Sequence, residues 1–243
     1  MTPRPPKPIH ILWLYPRDMN IYGDTGNLLV LTRRLERYGY QPIVTAYNPG
    51  DAFPDEVDIV TGGGGQDSGQ SKIQDDLLRI GPRLHELADA DTPMLMICGL
   101  YQLFGHFFET AEGVRIPGIG IFDLTTYGKQ ERLTGNIHTT SKLFGDIVGY
   151  ENHSGQTFLG DSVTPLASVV LGAGNNTEDG HEGAIYRYTI GSYLHGSLLP
   201  KNPAIADYLI TQAVAKRYGD TLDALLDDHL AQQARAVALK RPR

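Results

Sequence analysis

The feature that most constrains this chain is an alternation. Short strand-like runs at 9–15, 41–47, 57–61 and 94–97 are separated by stretches with helical spacing. The first run is compact, apolar and flanked by prolines, which suits a strand covered on both faces. After it Leu28, Leu31, Leu35 and Tyr38 recur three or four residues apart, Arg33, Arg34 and Arg37 fill in between, and Gly39 sits at the expected stop. Ser71 and Gln74 form a capping-box pattern ahead of Leu77, Leu78, Leu84 and Leu87, with Gly81-Pro82 as an expected break. Strands that alternate with helices pair in parallel, because each crossover carries the chain back along the sheet. The expected fold class is therefore α/β, a single domain with a central, mostly parallel sheet flanked by helices.

Beyond Gly113 the texture changes to short β-like runs at 119–126, 147–150, 168–171 and 185–190, which are expected to extend the same sheet. Two helices, 204–218 and 221 to about 240, are expected to close the chain, the second with Arg235, Lys240 and Arg241 late, as the helix dipole favours. The organisation so read is a loose proline-rich leader at 1–8, one domain over 9–218, and a C-terminal helix within 219–243 that packs on the domain or on a partner.

Composition narrows the function. Asp and Glu outnumber Lys and Arg by 28 to 21, and the net charge of −7 repels phosphate backbones, which argues against nucleic acid as a partner. The single cysteine, Cys98, cannot close an internal disulfide, so a reducing compartment, the cytoplasm, is expected. The most apolar window, 94–108, is interrupted by Gly99, Gln102, Gly105 and His106 and falls short of the roughly 20 residues a membrane span needs.

Cys98 follows the apolar run 94–97 and precedes a helix expected over 99–107. That places it at the carboxyl end of a buried strand, where open α/β sheets bind ligands. A sharp strand-to-helix turn aims backbone N–H groups and the positive helix end at the sulfur and lowers its pKa, which is how a nucleophile is activated. Gly99 supplies the freedom such an elbow needs. The competing reading is a structural cysteine in an apolar stretch. The run 57–61 leads directly into four glycines, 62–65, whose N–H groups can turn toward a developing oxyanion. No Lys-Ser or Lys-Thr follows them, so this is not a P-loop. A nucleophilic thiol needs a base, and of the eight histidines His195 and His153 stand at strand ends, whereas His85 and His229 lie in polar helical contexts. The acidic stretch 178–182 has no metal-ligand spacing, and no metal site is expected.

Four segments in order, 61–67, 97–102, 149–153 and 192–196, carry a resemblance to class I glutamine amidotransferases, in the CobB/CobQ-like (cobyric-acid-synthase-like) branch. Within it, segments 20–27, 131–135, 174–176 and 194–202 are most similar to stand-alone glutaminase subunits that serve peptidoglycan amidation. The resemblance implies a flavodoxin-like domain in which Cys98 attacks the side-chain amide of L-glutamine and His195 shuttles the proton. It further implies an oxyanion hole from backbone N–H groups of Gly63, Gly64, Gly65, Gly99 and Leu100, substrate binding by Arg132 and Gln102, and supporting roles for Glu151, Asn152 and His153.

It also implies no cofactor in this chain and a heterodimeric, Mur-ligase-like synthetase partner holding ATP and Mg. That partner would amidate the α-carboxyl of D-glutamate in lipid II to D-isoglutamine, with the complex at the inner face of the cytoplasmic membrane. The alternatives are a glutaminase serving another amide-forming synthetase, a non-catalytic binding module on the same fold, or a cysteine hydrolase of γ-glutamyl peptides. Two departures stand out: Met96 and Leu100 replace the glycines that usually flank the elbow, and Ser197 stands where many relatives carry an acid. The expected source of an orienting acid is then the partner, with Glu151 as the internal alternative.

Overall fold

The computed structural model describes residues 6–222 and 224–241. Strand β1 (Lys7–Leu14) leads to helix α1 (Thr25–Arg37), strands β2 (Tyr40–Tyr47) and β3 (Ile59–Gly62), helix α2 (Asp67–Asp89), strand β4 (Met94–Ile97) and the short helix α3 (Gly99–Leu103). β1 pairs in parallel with β2 on one side and β3 on the other, and β3 pairs in parallel with β4. β3 and β4 are buried along their whole length, as a strand covered on both faces must be. Leu28, Leu31 and Leu35 form the buried stripe of α1, and Ile73, Leu77, Ile80, Leu84 and Leu87 that of α2.

Three local expectations change. β1 begins at Lys7, so the strand takes up Lys7 and Pro8 of the expected leader; residues 1–5 of it lie outside the described residues. Pro82 does not break α2, because it removes a single backbone hydrogen bond while buried Leu77, Ile80 and Leu84 anchor the helix on both sides of it. α3 ends at Leu103 rather than 107, since a Cβ on Gly105 would meet the Leu124 carbonyl at 2.8 Å and the chain turns there into a strand.

The middle of the chain builds a second sheet. Its strands are β5 (Phe107–Glu109), β6 (Arg115–Pro117), β7 (Leu124–Ser141), β8 (Gly145–Leu159), β9 (Ala167–Leu171) and β10 (His181–Glu182), dominated by the long antiparallel β7–β8 hairpin. The expectation that the runs at 119–126, 147–150 and 168–171 extend the first sheet is therefore corrected. No described helix lies between β5 and β10, and apart from the parallel β5–β7 pair these strands pair antiparallel. The run at 185–190 does join the first sheet, as β11 (Ala184–Tyr186) and β12 (Thr189–Ser192), with β12 parallel to β4.

One residue further on, β13 (Leu194–His195) pairs with β8 of the second sheet. The chain thus steps between sheets at Tyr193, and His195 emerges where they meet. Helices α4 (Leu198–Lys201), α5 (Pro203–Tyr218) and α6 (His229–Ala238) follow. Of the expected helix 221–240, residue 223 lies outside the described residues, and the described part is helical over His229–Ala238. Asp228, just before it, joins Asp207 of α5 on the guanidinium of Arg34, each at 2.6 Å, with the arginine side chain 8% exposed. Among the described residues no helix is long and apolar enough to cross a membrane.

Asn202 ties the sheets' junction to the helical layer. Its amide donates to the carbonyls of Val148 (2.9 Å) and Leu198 (2.7 Å), and its oxygen accepts from the N–H of Val148 (3.0 Å). Asn202→Ala is expected to cost about 2–3 kcal/mol by stranding these buried groups. A lower urea midpoint at unchanged slope measures it.

Candidate active site

Four loops leave the same edge of the first sheet. Leu14 lies opposite Gly62, Gly62 opposite Met96 and Met96 opposite Gly191, so β1, β3, β4 and β12 end together. The segments that follow them carry Asp24, Gly64, Cys98 and His195.

Cys98 has φ 50° and ψ −105°, a strained conformation for a side-chain-bearing residue. The surroundings enforce it: the Cys98 N–H donates to the Ser192 carbonyl (2.8 Å), and the Cys98 carbonyl accepts from Gln102 (2.9 Å). Gly99 is required after it, since a Cβ there would lie 2.7 Å from the Met19 methyl and 3.1 Å from the Gly65 nitrogen. The absence of a second elbow glycine is also accounted for. The Leu100 side chain fills the space that Gly62 leaves by lacking a Cβ.

Gly64 passes between nucleophile and base. A Cβ on it would lie 2.8 Å from Cε1 of His195 and 3.1 Å from Cβ of Cys98. Its N–H donates to Oδ2 of Asp24 (2.8 Å), so that amide is committed and is not free for an oxyanion. The donors left at the elbow are those of Gly65, Gly99 and Leu100, the last two in the first turn of α3, where no helical acceptor exists. Gly63 packs against the Met19 carbonyl and Asp24 and shapes the loop.

His195 is 2% exposed, its Nδ1 3.7 Å from Oδ2 of Asp24, an ion-pair distance rather than a hydrogen bond. Tyr22 covers it, ring centroids 4.4 Å apart. Burial alone would lower the imidazole pKa, but Cys98 and Asp24 outweigh it and push it up to about 10. A base held beside the sulfur in this way is the arrangement a thiol nucleophile needs.

The second candidate histidine has a different role. Burial drives His153 down to about 3, with His195 and Arg132 acting in the same direction. Its Nδ1 lies 2.7 Å from the Gly155 carbonyl, and its ring stacks on Tyr193 at 3.6 Å. It is a neutral wall of the site and too weakly basic to activate a thiol.

A cavity of about 430 Å³ opens beside Cys98, lined among others by Tyr22, Gly65, Gln102, Arg132, Asn152 and His153. Arg132 is oriented by Asn152 (Nε to Oδ1 2.6 Å) and by the Tyr22 hydroxyl (2.9 Å), a cationic fork suited to a carboxylate. Gln102, expected to bind substrate, is committed elsewhere. Its oxygen accepts from Gln70 (2.6 Å) and its nitrogen donates to the Tyr193 hydroxyl (3.1 Å), in a buried chain that continues to Thr157 and Thr126. It supports the floor beneath the nucleophile. Glu151, the internal candidate for an orienting acid, is held by the N–H groups of Ala173 (2.9 Å) and Gly174 (2.8 Å). A wider cleft of about 630 Å³ between α1 and residues 227–231 contains neither cysteine nor a candidate base apart from exposed His229.

Asp24 and Tyr22 escaped assignment from the sequence, although both lie in the 20–27 segment that carried part of the resemblance. The available signal was topological: the loop after the first strand of a parallel sheet lies at the ligand-binding edge.

The CobB/CobQ-like glutamine amidotransferase domain family matches residues 10–203, a span that contains Cys98, Arg132 and His195. The chain belongs to this family. It is 38% identical over 224 residues to the subunit GatD of the glutamine-hydrolysing lipid II isoglutaminyl synthase of Staphylococcus aureus, covering 92% of this chain and 91% of that protein. The subunit of the same name from Streptococcus pneumoniae is 38% identical over 232 residues, covering 94% and 89%. Among solved structures, PurLQS of Thermotoga maritima superposes with a TM-score of 0.59 at 14% identity, covering 84% of this chain and 98% of that one, which bears on the fold.

Two measurements probe the site. Gly64→Ala is expected to separate His195 from Cys98 and slow iodoacetamide alkylation of the thiol at pH 7 by about ten-fold or more. Glu182 holds the step between the sheets: fully buried, its Oε1 accepts from the Ser192 hydroxyl (3.0 Å) and the Tyr193 N–H (2.8 Å). Burial raises it from 4.5 to about 8. The folded state therefore keeps a proton that the unfolded chain releases, and the associated stability is full below pH 4.5 and lost as pH rises toward 8. Urea midpoints across that range are expected to fall more steeply for the unmodified chain than for Glu182→Gln.

Proposed function

We propose that this chain is the glutaminase subunit of a lipid II isoglutaminyl synthase. It hydrolyses L-glutamine to glutamate and ammonia. The ammonia passes to a Mur-ligase-like, ATP-dependent partner that amidates the α-carboxyl of D-glutamate in lipid II, giving D-isoglutamine for peptidoglycan. The observation that carries this reading is the joint presence of the strained Cys98 elbow, His195 and the Arg132 fork in a chain that matches two such subunits almost end to end.

The chemistry follows from the geometry. Arg132 takes the α-carboxylate of glutamine and lays the side-chain amide against Cys98. The thiolate adds to the amide carbon, and the oxyanion is received by backbone N–H groups at Gly65, Gly99 and Leu100. His195 gives its proton to the leaving nitrogen, ammonia departs, and a γ-glutamyl thioester remains. His195, now neutral, takes a proton from water as its oxygen adds to the thioester, and collapse releases glutamate and regenerates the thiolate. ATP and Mg belong to the partner in this scheme, which works at the inner face of the cytoplasmic membrane through the complex.

Ammonia release from glutamine by the purified chain and by Cys98→Ala, each with and without a co-expressed Mur-ligase-like partner, tests the reading. Expected are Cys98-dependent release and, with the partner, ATP and lipid II, an amidated lipid II product. Absence of Cys98-dependent ammonia under both conditions overturns the glutaminase; ammonia without lipid II amidation overturns the acceptor.

A further inference from the structure

We infer that Asp67, the first residue of α2, receives the α-ammonium group of L-glutamine and so completes, with Arg132, a site for a free α-amino acid. The inference rests on the glutaminase reading above and names a further residue of that same site.

Three observations carry it. The first is position. Asp67 lines the cavity of about 430 Å³ beside Cys98, and of the described residues around that cavity it is the one acid. Arg132 stands on the same cavity, near enough to draw the Asp67 carboxyl toward its ionised form. An α-amino acid carries its carboxylate and its ammonium on one carbon, so the groups that receive them must be neighbours of opposite sign. Arg132 and Asp67 are such a pair.

The second is an unmet charge. Partial burial, and after it the Glu112 carboxylate on the β5–β6 turn, hold the Asp67 carboxyl above the usual carboxylate range despite the pull of Arg132. No ion pair among the described residues relieves it. Lys72, further along α2, is turned to Asp18 (3.5 Å), and the Arg132 guanidinium to Asn152 and the Tyr22 hydroxyl. An ammonium brought into the cavity supplies the counter-charge.

The third is that competing acceptors on the wall are committed. The Gln102 oxygen accepts from Gln70 (2.6 Å), the Asn152 oxygen from Arg132 (2.6 Å), and the Gly155 carbonyl lies 2.7 Å from Nδ1 of His153. The start of α2 does not use the Asp67 carboxylate as its cap either, since the N-cap is Gln66 and no side chain caps the helix.

The consequence is selection for a free amino group. A glutamine whose nitrogen is acylated, or an analogue without the nitrogen, leaves Asp67 without its counter-charge and loses a charge-assisted hydrogen bond. Asp67 would thus separate free glutamine from glutamine carried in a peptide.

Asp67→Asn, made in the full chain and assayed alone and with the synthetase partner, tests this on two substrates. With L-glutamine KM is expected to rise by about 10- to 100-fold while kcat stays within about three-fold. With glutaramate, which is glutamine lacking the α-amino group, kcat/KM is expected to change by less than about three-fold, because the lost contact is one that this substrate never makes. A first-turn acid serving only the helix would move both substrates alike. Should Asp67→Asn fail to fold, Asp67→Ser, a residue well suited to a helix start, takes its place.

An unchanged KM for glutamine, or an equal loss on both substrates, overturns the proposal. So does Glu112→Gln giving the glutamine-specific loss in place of Asp67→Asn, since that assigns the ammonium to the neighbouring acid. Failure of the glutaminase reading would look different, as an absence of Cys98-dependent ammonia from the unmodified chain.

Discussion

The site depends on one close approach: the bare backbone of Gly64 running between the Cys98 and His195 side chains. Only a residue without a Cβ fits there, and the peptide is pinned from the far side by the Asp24 carboxylate. Cys98, His195 and the Asp24 carboxylate are thereby indexed to one strip of main chain rather than to long side chains with their own freedom. The strained elbow at Cys98 belongs to the same arrangement. It persists because its N–H and carbonyl are both held by neighbouring main chain, which over-determines a conformation that would otherwise relax.

Register among the strands converts sequence-distant residues into neighbours. β1, β3, β4 and β12 stop in line, so their outgoing loops converge without any one of them having to be long. The step at Tyr193 then transfers the chain from the first sheet to the second within one residue. Cys98, and Tyr22 over His195, consequently face a cavity whose other wall, Arg132 and Asn152, comes from the β7–β8 hairpin. Glu182, Asn202 and the Gln70–Gln102–Tyr193 chain brace this junction with buried hydrogen bonds, the polar counterpart of the apolar packing elsewhere.

The parallel half of the fold was legible because its signals are local. Periodicity in α1, the apolar runs of β1 and β4 and the strand-to-glycine junction each determine structure within a few residues. The second sheet was not, because an antiparallel hairpin such as β7–β8 is specified by pairing across the chain, and its half-exposed strands give no continuous apolar run. The same division holds in the site. Cys98 and His195 stand beside strand ends that the pattern marks, whereas the commitment of Gln102 to Gln70, of Gly64 to Asp24 and of Glu151 to the 173–174 turn are contacts that only the folded register creates.

The Tyr22 hydroxyl on Arg132 has a further consequence. In the empty cavity the guanidinium already has phenol and amide partners, so an incoming molecule meets an occupied fork. A carboxylate, with full negative charge and two oxygens, outcompetes the phenol. The same tyrosine ring lies over His195, so a single side chain links the cationic fork on one wall of the cavity to the base on the other, and any group that displaces the hydroxyl from Arg132 also acts on the cover of His195.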